Sequence, residues 1–482
     1  MPTVTLPLRK AVYVGLGLAL FWVLAGWGIW EQGPSAMGVN YAVFALGVAL
    51  FFSVHAGERP LRKKHLPWLV PILLIALSFF LYENPFVKLV NILVLVPLFA
   101  CHRVAVSTPN YERLPWNRAW IEHLLRRFFG AIGQTGIAIE TIVKTVIPYG
   151  TKHIRIVSKA VMGLVIFVVL AFVIFIPLLS AADPAFAEMM RAIADYVRAI
   201  ADYVRVFISI EWLVRTICFV VLAIVLTAIA ASWNRREEVR GESTHGSMDD
   251  IVSGVVLGGI LLLYVLFLGS QLKSLWVTDL PTEFHQTEVL VKSGFWQLFV
   301  LTAINVGLFF VYYRRTRPSV QRLLGVFTVA SILLLFSAAK RMAMYVWFYG
   351  FSYEKFFASY TVFFALLLFG YLFWCLVRHE RRDIMKVLVY GFIWMYSVAT
   401  ILPTEQFIFR ANMWLSERSD SRIDLAELRM LSADVYGLVL REQRQRPNNY
   451  WEDWLSERRR ITSEKQWYEW NVQDVKLRAM NR

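Results

Sequence analysis

The chain has 482 residues, of which 57% are hydrophobic, with 35 Phe and 18 Trp, and a mean hydropathy of +0.52. A water-soluble fold cannot hide that much apolar surface, whereas a bilayer accepts it, and the lack of short alternating segments argues against a membrane barrel. The formal charge of +15 comes mostly from Lys and Arg between the apolar runs, so it reports on membrane orientation and says little about substrates.

Apolar runs of about 18 residues or more recur along most of the chain. They predict an all-α, polytopic membrane protein of eleven helices, near 11–30, 37–55, 66–82, 86–102, 160–180, 211–232, 251–270, 294–313, 322–339, 358–377 and 387–402. The first run, Ala11–Trp30, is too long for a signal-peptide core and lacks a small-residue cleavage site, so it reads as a retained span. The hairpin 66–102 is the least regular, with short spans carrying Pro67, Pro71 and Pro97. The N-terminus and the loops around 56–65, 103–159, 233–250, 314–322 and 378–386 carry 26 Lys and Arg. The opposite loops carry nine, leaving aside Arg215 inside a span. That asymmetry puts the N-terminus in the cytoplasm, and eleven crossings put the C-terminus outside.

Four regions follow from this pattern. Residues 1–102 form a four-helix membrane region, and 103–159 a cytoplasmic segment with basic amphipathic stretches such as Trp120–Phe129. Anionic lipid at the cytoplasmic face is the expected contact of that segment, in preference to nucleic acid. Residues 160–402 form a seven-helix region, and the polar run between Trp233 and Asp250 marks a boundary between two halves. Residues 403–482 form a charged tail.

Within the third region RAIADYV occurs twice in succession, at Arg191–Val197 and Arg198–Val204. Phe186, Met190, Ile193, Val197, Ile200, Val204 and Phe207 are spaced alternately four and three, a heptad stripe. Arg191, Asp195, Arg198, Asp202 and Arg205 make a parallel stripe of alternating charge. The pattern predicts an extracytoplasmic amphipathic helix over 184–207, about 36 Å long. Asp183 would cap it and Pro184 suits its first turn. Ala194, Ala201, Tyr196 and Tyr203 flank the stripe where a coiled coil prefers charges, so docking on the protein's own membrane domain or on lipid competes with self-association.

Arg215, four residues after Glu211, is a near-membrane cation suited to a local ion pair. Cys101, Cys218 and Cys375 each lie in or at the end of an apolar run, and no CxxC or HExxH occurs. Disulfides, a zinc site and a cofactor are therefore not expected.

The segment SAAKRMAMYVWFYGFSYEK, Ser337–Lys355, carries the strongest hint of a site. Residues Leu323–Tyr349 contain no proline and can run as one helix of about 40 Å, longer than a hydrocarbon core of about 30 Å. On its emergent turns Arg341, Tyr345 and Tyr349 share one side, while Lys340 points about 100° away. Gly350 can take the positive-φ conformation that stops the helix, and Ser352 can cap the next one, with Glu354 in its first turn. Two readings stand: a snorkelling anchor with an aromatic belt of Tyr345, Trp347 and Tyr349, or a polar site holding an anionic group or a packed tyrosine.

The tail holds 14 Lys and Arg against 13 Asp and Glu. Ile423–Leu431 and Val435–Val439 read as short amphipathic helices with Ser432 as a cap between them. Trp451, Trp454, Trp467 and Trp470 among the charges favour a small helical subdomain over disorder, one that binds a protein partner or lies against headgroups.

Several pieces in fixed order carry a likeness. They are SAADPAF (Ser180–Phe186), YVLFLGSQ (Tyr264–Gln271), GFWQL (Gly294–Leu298), SAAKRMAMY (Ser337–Tyr345), Tyr349-Gly350, FIFRAN (Phe407–Asn412) and LSAD (Leu431–Asp434). Together, over about residues 160–440, they resemble a family of bacterial integral membrane proteins known only as a domain of unknown function. The resemblance implies a multi-pass protein of a bacterial cytoplasmic (inner) membrane and implies no activity.

The favoured function is a non-enzymatic envelope scaffold or signalling accessory, with a protein partner reached through the tail or helix 184–207. A transporter or lipid-handling protein is the alternative, although the charges gather at span ends and Gly254, Gly258 and Gly259 suit close helix packing. A membrane-embedded transferase lacks an evident acidic pair or nucleophile on an outer loop, with Asp183 and Glu211 the residues to consider.

Overall fold

A computed structural model describes residues 6–55, 65–107, 130–131, 134–146, 188–192, 195–196, 210–233, 250–275, 300–313, 316–379, 384–447 and 449–480. Among them every regular element is helical. Helices α1 (Leu6–Ala25), α2 (Val39–His55), α3 (Leu66–Leu81) and α4 (Pro85–Ser107) are followed by α5 (Thr135–Val146) and α6 (Ile210–Trp233). Then come α7 (Asp250–Leu275), α8 (Val300–Tyr312), α9 (Pro318–Tyr349), α10 (Tyr353–Arg378) and α11 (Ile384–Ile401). The protein is an all-α polytopic membrane protein. Six helices are long and apolar enough to cross a bilayer, and α2, α3 and parts of α7 and α8 are shorter apolar helices. Each predicted span inside the described residues coincides with one of these ten, whereas span 160–180, Asp183 and most of helix 184–207 lie outside the described residues.

The chain divides into two units, Met1–Gly241 with Lys465–Val472, and Glu242–Glu464 with Gln473–Arg482. The division falls in the polar run after Trp233. Helix α6, expected with the region 160–402, groups with the first unit, because its Leu226, Ala230 and Ala231 share a core with Ala11, Phe51 and Phe52. Within the segment 103–159 one helix packs in the first unit. This helix, α5, buries Ala138 and Ile139 against Ile224 and Ala228 of α6.

In the first unit the α1–α2 turn is tied by one amide. Asn40 donates to the carbonyls of Ala25 (2.6 Å) and Ala36 (3.0 Å) and accepts from the N–H groups of Gly38 and Tyr41. All four of its hydrogen-bonding positions are used, which is what a buried polar side chain in an apolar turn requires. The same end of the unit holds the α3–α4 turn at 82–84 and receives Lys465–Val472, with the Val39 N–H donating to the Trp470 carbonyl at 3.1 Å. At the other end Ser53 Oγ and His102 Nε2 lie 3.0 Å apart, and Arg103 donates to the Phe52 carbonyl at 2.8 Å.

In the second unit α7, α8, α9 and α10 meet around Leu257, Phe309, Leu324, Phe327, Phe369 and Leu372. A polar string crosses this core. The Tyr264 hydroxyl donates to Asn305, and the Asn305 amide donates to Ser331 Oγ at 3.0 Å, joining three helices where no water could satisfy the groups.

Residues 403–482 fold into α12 (Thr404–Ser416), 3-10 turns at Leu425–Met430 and Ala433–Val435, α13 (Tyr436–Gln445), α14 (Asn449–Glu464) and α15 (Val472–Met480). Ser432 caps as expected, accepting from the Asp434 N–H, but Leu425–Met430 is a tight 3-10 turn initiated by Asp424. Phe409, Val439, Trp451, Trp454 and Leu477 form a core of the tail's own. Trp454 is 1% exposed, stacks on Tyr436 and donates its indole N–H to the Arg429 carbonyl at 3.1 Å.

Trp454→Ala should cost about 3–5 kcal/mol of tail stability and open α14 to protease, while Trp467→Ala, at a ring 68% exposed, should change stability by less than about 0.5 kcal/mol. Equal protease resistance of both variants would contradict a tail built on that core.

Candidate functional site

The segment Ser337–Lys355 forms the end of α9, a tight turn and the start of α10. Gly350 stops α9 with φ 70°, its N–H donating to the Val346 carbonyl. A side chain there would also strike Asn412. Ser352 caps α10, accepting from the Lys355 N–H, with Glu354 in the first turn. Tyr345 and Tyr349 lie side by side, ring centroids 5.4 Å apart, and both are buried. Lys340 is exposed, and Arg341 is half-buried with its guanidinium 3.4 Å from Ser337 Oγ.

Lys355, not singled out by its sequence context, is the buried cation of this turn. Its ammonium sits 4.5 Å from the Tyr345 ring centroid and donates to the carbonyls of Tyr349 (3.1 Å) and Gly350 (3.0 Å). These are the unsatisfied carbonyls at the negative end of α9, where a cation is favourable. Asn412 of α12 clasps the same turn, accepting from the Phe351 N–H (2.6 Å) and donating to the Phe351 carbonyl (2.8 Å).

Beside the turn, α9, α10 and α12 enclose an open cavity of about 860 Å³. Its walls are apolar, with Met342, Val346, Phe363 and Leu366 among them, and Arg410 is the one charged side chain on the described lining. Arg410 is exposed and makes no ion pair or hydrogen bond among the described residues, and Gln406 stands one turn before it. Trp347 and Trp414 meet edge to face at the rim, 6.3 Å apart.

The first unit holds a buried ion cluster at the α3–α4 turn. Glu83 pairs with Lys88 (3.3 Å) and Lys465 (2.7 Å), every side chain being at most 8% exposed, and Asn471 donates to the same carboxylate. Burial alone would raise the Glu83 carboxyl, yet the two ammonium groups hold it below its usual value. Glu469, also buried, packs so closely on Gly28 and Gly38 that a Cβ at either would collide with it or its backbone. Those two glycines admit the segment Lys465–Val472.

In the second unit Glu405 presents the opposite case. It accepts from the N–H (2.7 Å) and hydroxyl (2.8 Å) of Ser432 and from the Tyr353 hydroxyl. Burial, and then the neighbouring Asp434 charge, push its carboxyl well above the usual carboxylate range. The carboxyl bridges α12, α10 and the residue that caps the 3-10 turn Ala433–Val435.

Arg215 pairs with Glu211, as the spacing predicts, and its guanidinium also lies 4.9 Å from the Trp27 ring centroid. The expected site residues thus divide between the two units: Lys340, Arg341, Tyr345, Tyr349 and Gly350 in the second, Arg215 in the first, with Asp183 outside the described residues. Sequence inspection missed Lys355, Arg410, Glu83, Lys465 and Glu405. Lys355 and Arg410 had local signals, a cation just after a helix-stopping glycine and a single charge on an otherwise apolar helix face. Lys465 had none. Among the described residues no three His, Cys, Asp or Glu side chains gather as metal ligands.

Fold and site together define an integral, all-α membrane protein whose helix α12 clasps the α9–α10 turn. Over residues 69–441 the chain matches the family described as a domain of unknown function (DUF4153), and it belongs to that family. No curated protein matches it, and neither does any solved structure. The match begins well before residue 160, where the resemblance in sequence motifs started, and takes in most of α3 and all of α4. Glu83, Lys355, Glu405 and Arg410 fall inside it, whereas Lys465 and Asn471 fall beyond it.

Two carboxyls with opposed environments should give opposed pH dependence. Glu83, lowered when folded, contributes stability that is present above its unfolded pKa and is lost as pH falls through the folded value. Glu405, raised when folded, keeps its proton where the unfolded chain has lost it, so its contribution declines as pH rises from the usual carboxylate range toward the folded value. Thermal unfolding across pH should show Glu405→Gln removing the decline that sets in above the usual carboxylate range, and Glu83→Gln destabilising most above that range. The reverse assignment would contradict these environments. In the turn, Lys355→Met should lower the unfolding temperature far more than Lys340→Ala, because only the first leaves helix-end carbonyls unsatisfied; equal tolerance would reduce Lys355 to a packing residue.

Proposed function

We propose that the protein is a non-enzymatic scaffold or signalling accessory of a bacterial cytoplasmic membrane, crossing it eleven times, with its N-terminus inside and its tail outside. The observation that carries this reading is the tail itself. It is a folded helical body with an aromatic core, mounted on the α9–α10 turn through Asn412, and it leaves a charged surface on which Met430 is 81% exposed. A body of that kind suits presentation to a protein partner more than anchoring alone, and the heptad stripe in the sequence of 184–207 would suit a second such surface.

The orientation rests on two supports. Basic residues gather in one set of segments between the apolar runs, 26 against nine in the opposite set. The segment Lys465–Val472 packs on the turns reached after α1 and after α3, an odd number of helices from the N-terminus. Anionic lipid would then meet the basic segment 103–159 on the inner face. A lipid-handling role is the second reading, favoured by the apolar cavity headed by Arg410.

A cysteine at Ser456 should react with an impermeant maleimide in intact spheroplasts, and one at Ser243 only after lysis; the opposite pattern overturns the orientation. A photo-crosslinking residue at Met430 in living cells should yield a discrete protein adduct. Lipid adducts alone, or none, would turn the balance toward lipid handling.

A further inference from the structure

We infer that the cavity between α9, α10 and α12 is a binding site for one anionic phospholipid, its acyl chain lying against α9 and α10 and its phosphate held by Arg410. The depth fits. From Trp347 at the rim to Ala339 at the floor α9 runs eight residues, about 12 Å, most of the half-thickness of a hydrocarbon core of about 30 Å. The walls fit as well, since Ala343, Val346, Val362 and Leu366 present no hydrogen-bonding group to the cavity. Its size falls within the range of ligand sites, roughly 300–1,000 Å³.

The rim selects the headgroup. Trp347 and Trp414 meet there, both exposed, at the level that indole rings prefer between hydrocarbon and headgroups. Arg418, the nearby second cation, is already committed. It stacks 3.7 Å from the Trp347 ring centroid and pairs with Asp420. Arg410 is not, and its guanidinium can take two phosphate oxygens at once. A single uncompensated cation at the mouth of an apolar trough favours a lipid with net negative charge over a zwitterionic one. It also favours a lipid over free phosphate, which would leave the trough empty. Helix α12 closes the site as an interfacial helix, with Ile408, Phe409, Asn412 and Leu415 buried beneath and Phe407 and Trp414 outward.

The test uses the full chain in mixed vesicles of phosphatidylcholine and phosphatidylglycerol, with a diazirine amino acid replacing Ala343 in the cavity or Phe336 elsewhere on the exposed face of α9. Adducts are identified by mass spectrometry. The residue at position 343 should capture phosphatidylglycerol several-fold above its bulk share, while position 336 reports the bulk composition. Arg410→Gln should bring the adducts at 343 back to bulk composition, Arg410→Lys should retain part of the enrichment, and Ala411→Trp should cut the lipid yield at 343 by filling the trough. Arg410 is exposed and makes no described bond, so its replacement leaves the fold intact, which an unchanged unfolding temperature confirms. Bulk composition at 343 in the unsubstituted chain overturns the proposal. So does capture of a second copy or another protein in place of lipid, or enrichment that survives Arg410→Gln.

Discussion

Glu83 sits in the turn between two apolar helices and is held ionised by ammonium groups five and 382 positions away in sequence. A carboxylate so deeply buried would be expelled or protonated without those partners. The partners therefore decide where the end of the chain must go. Lys465 can reach Glu83 only if the segment Lys465–Val472 enters the first unit, and Gly28 and Gly38 are the residues whose missing side chains let it in. The flanking residues stay with the second unit, where Thr462, Asp474 and Arg478 bond to one another across the base of the excursion. The placement of Lys465–Val472 thus follows from one buried charge in the first hundred residues.

The same economy governs the second unit. A membrane protein cannot leave buried helix-end carbonyls or turn amides unsatisfied, and at the α9–α10 turn three residues supply partners. Lys355 covers two carbonyls, Asn412 covers both backbone groups of Phe351, and Arg422 donates its backbone N–H to the Phe348 carbonyl. Two of these three residues belong to the tail. Glu405 completes the attachment through Ser432 and Tyr353, as Glu83 does through Lys88 and Lys465. The two buried carboxyls are shifted in opposite directions, Glu83 downward by its ammonium neighbours and Glu405 upward by burial and then by Asp434.

Much of this was legible in the sequence wherever the cause is local. Long apolar runs fixed the helix positions, Gly350 and Ser352 marked the turn, Ser432 marked its cap, and Arg215 found Glu211 one turn away. What was not legible depends on distance. Lys340 and Arg341 drew notice because they are adjacent cations at a span end, yet the ammonium over Tyr345 belongs to Lys355, which the fold-back of α10 carries there. Glu83 looked like an ordinary turn residue in a proline-interrupted hairpin, because its partner lies at the far end of the chain. The cavity is assembled from three helices, and only the face of α12, with Arg410 between Phe407 and Trp414, carried a hint of it.

Within the first unit the segment Lys465–Val472 is fastened to the α3–α4 turn by buried polar attachments, the Glu83–Lys465 pair foremost. A double-mutant cycle on Glu83→Gln and Lys465→Met, read by thermal unfolding in detergent, measures that attachment directly. Glu83→Gln should cost about 3–5 kcal/mol by stranding two buried ammonium groups, Lys465→Met should cost less because Lys88 remains on Glu83, and the pair should couple by at least about 2 kcal/mol. Additive effects within about 0.5 kcal/mol would show that the two residues do not meet, and would contradict the placement of the segment Lys465–Val472.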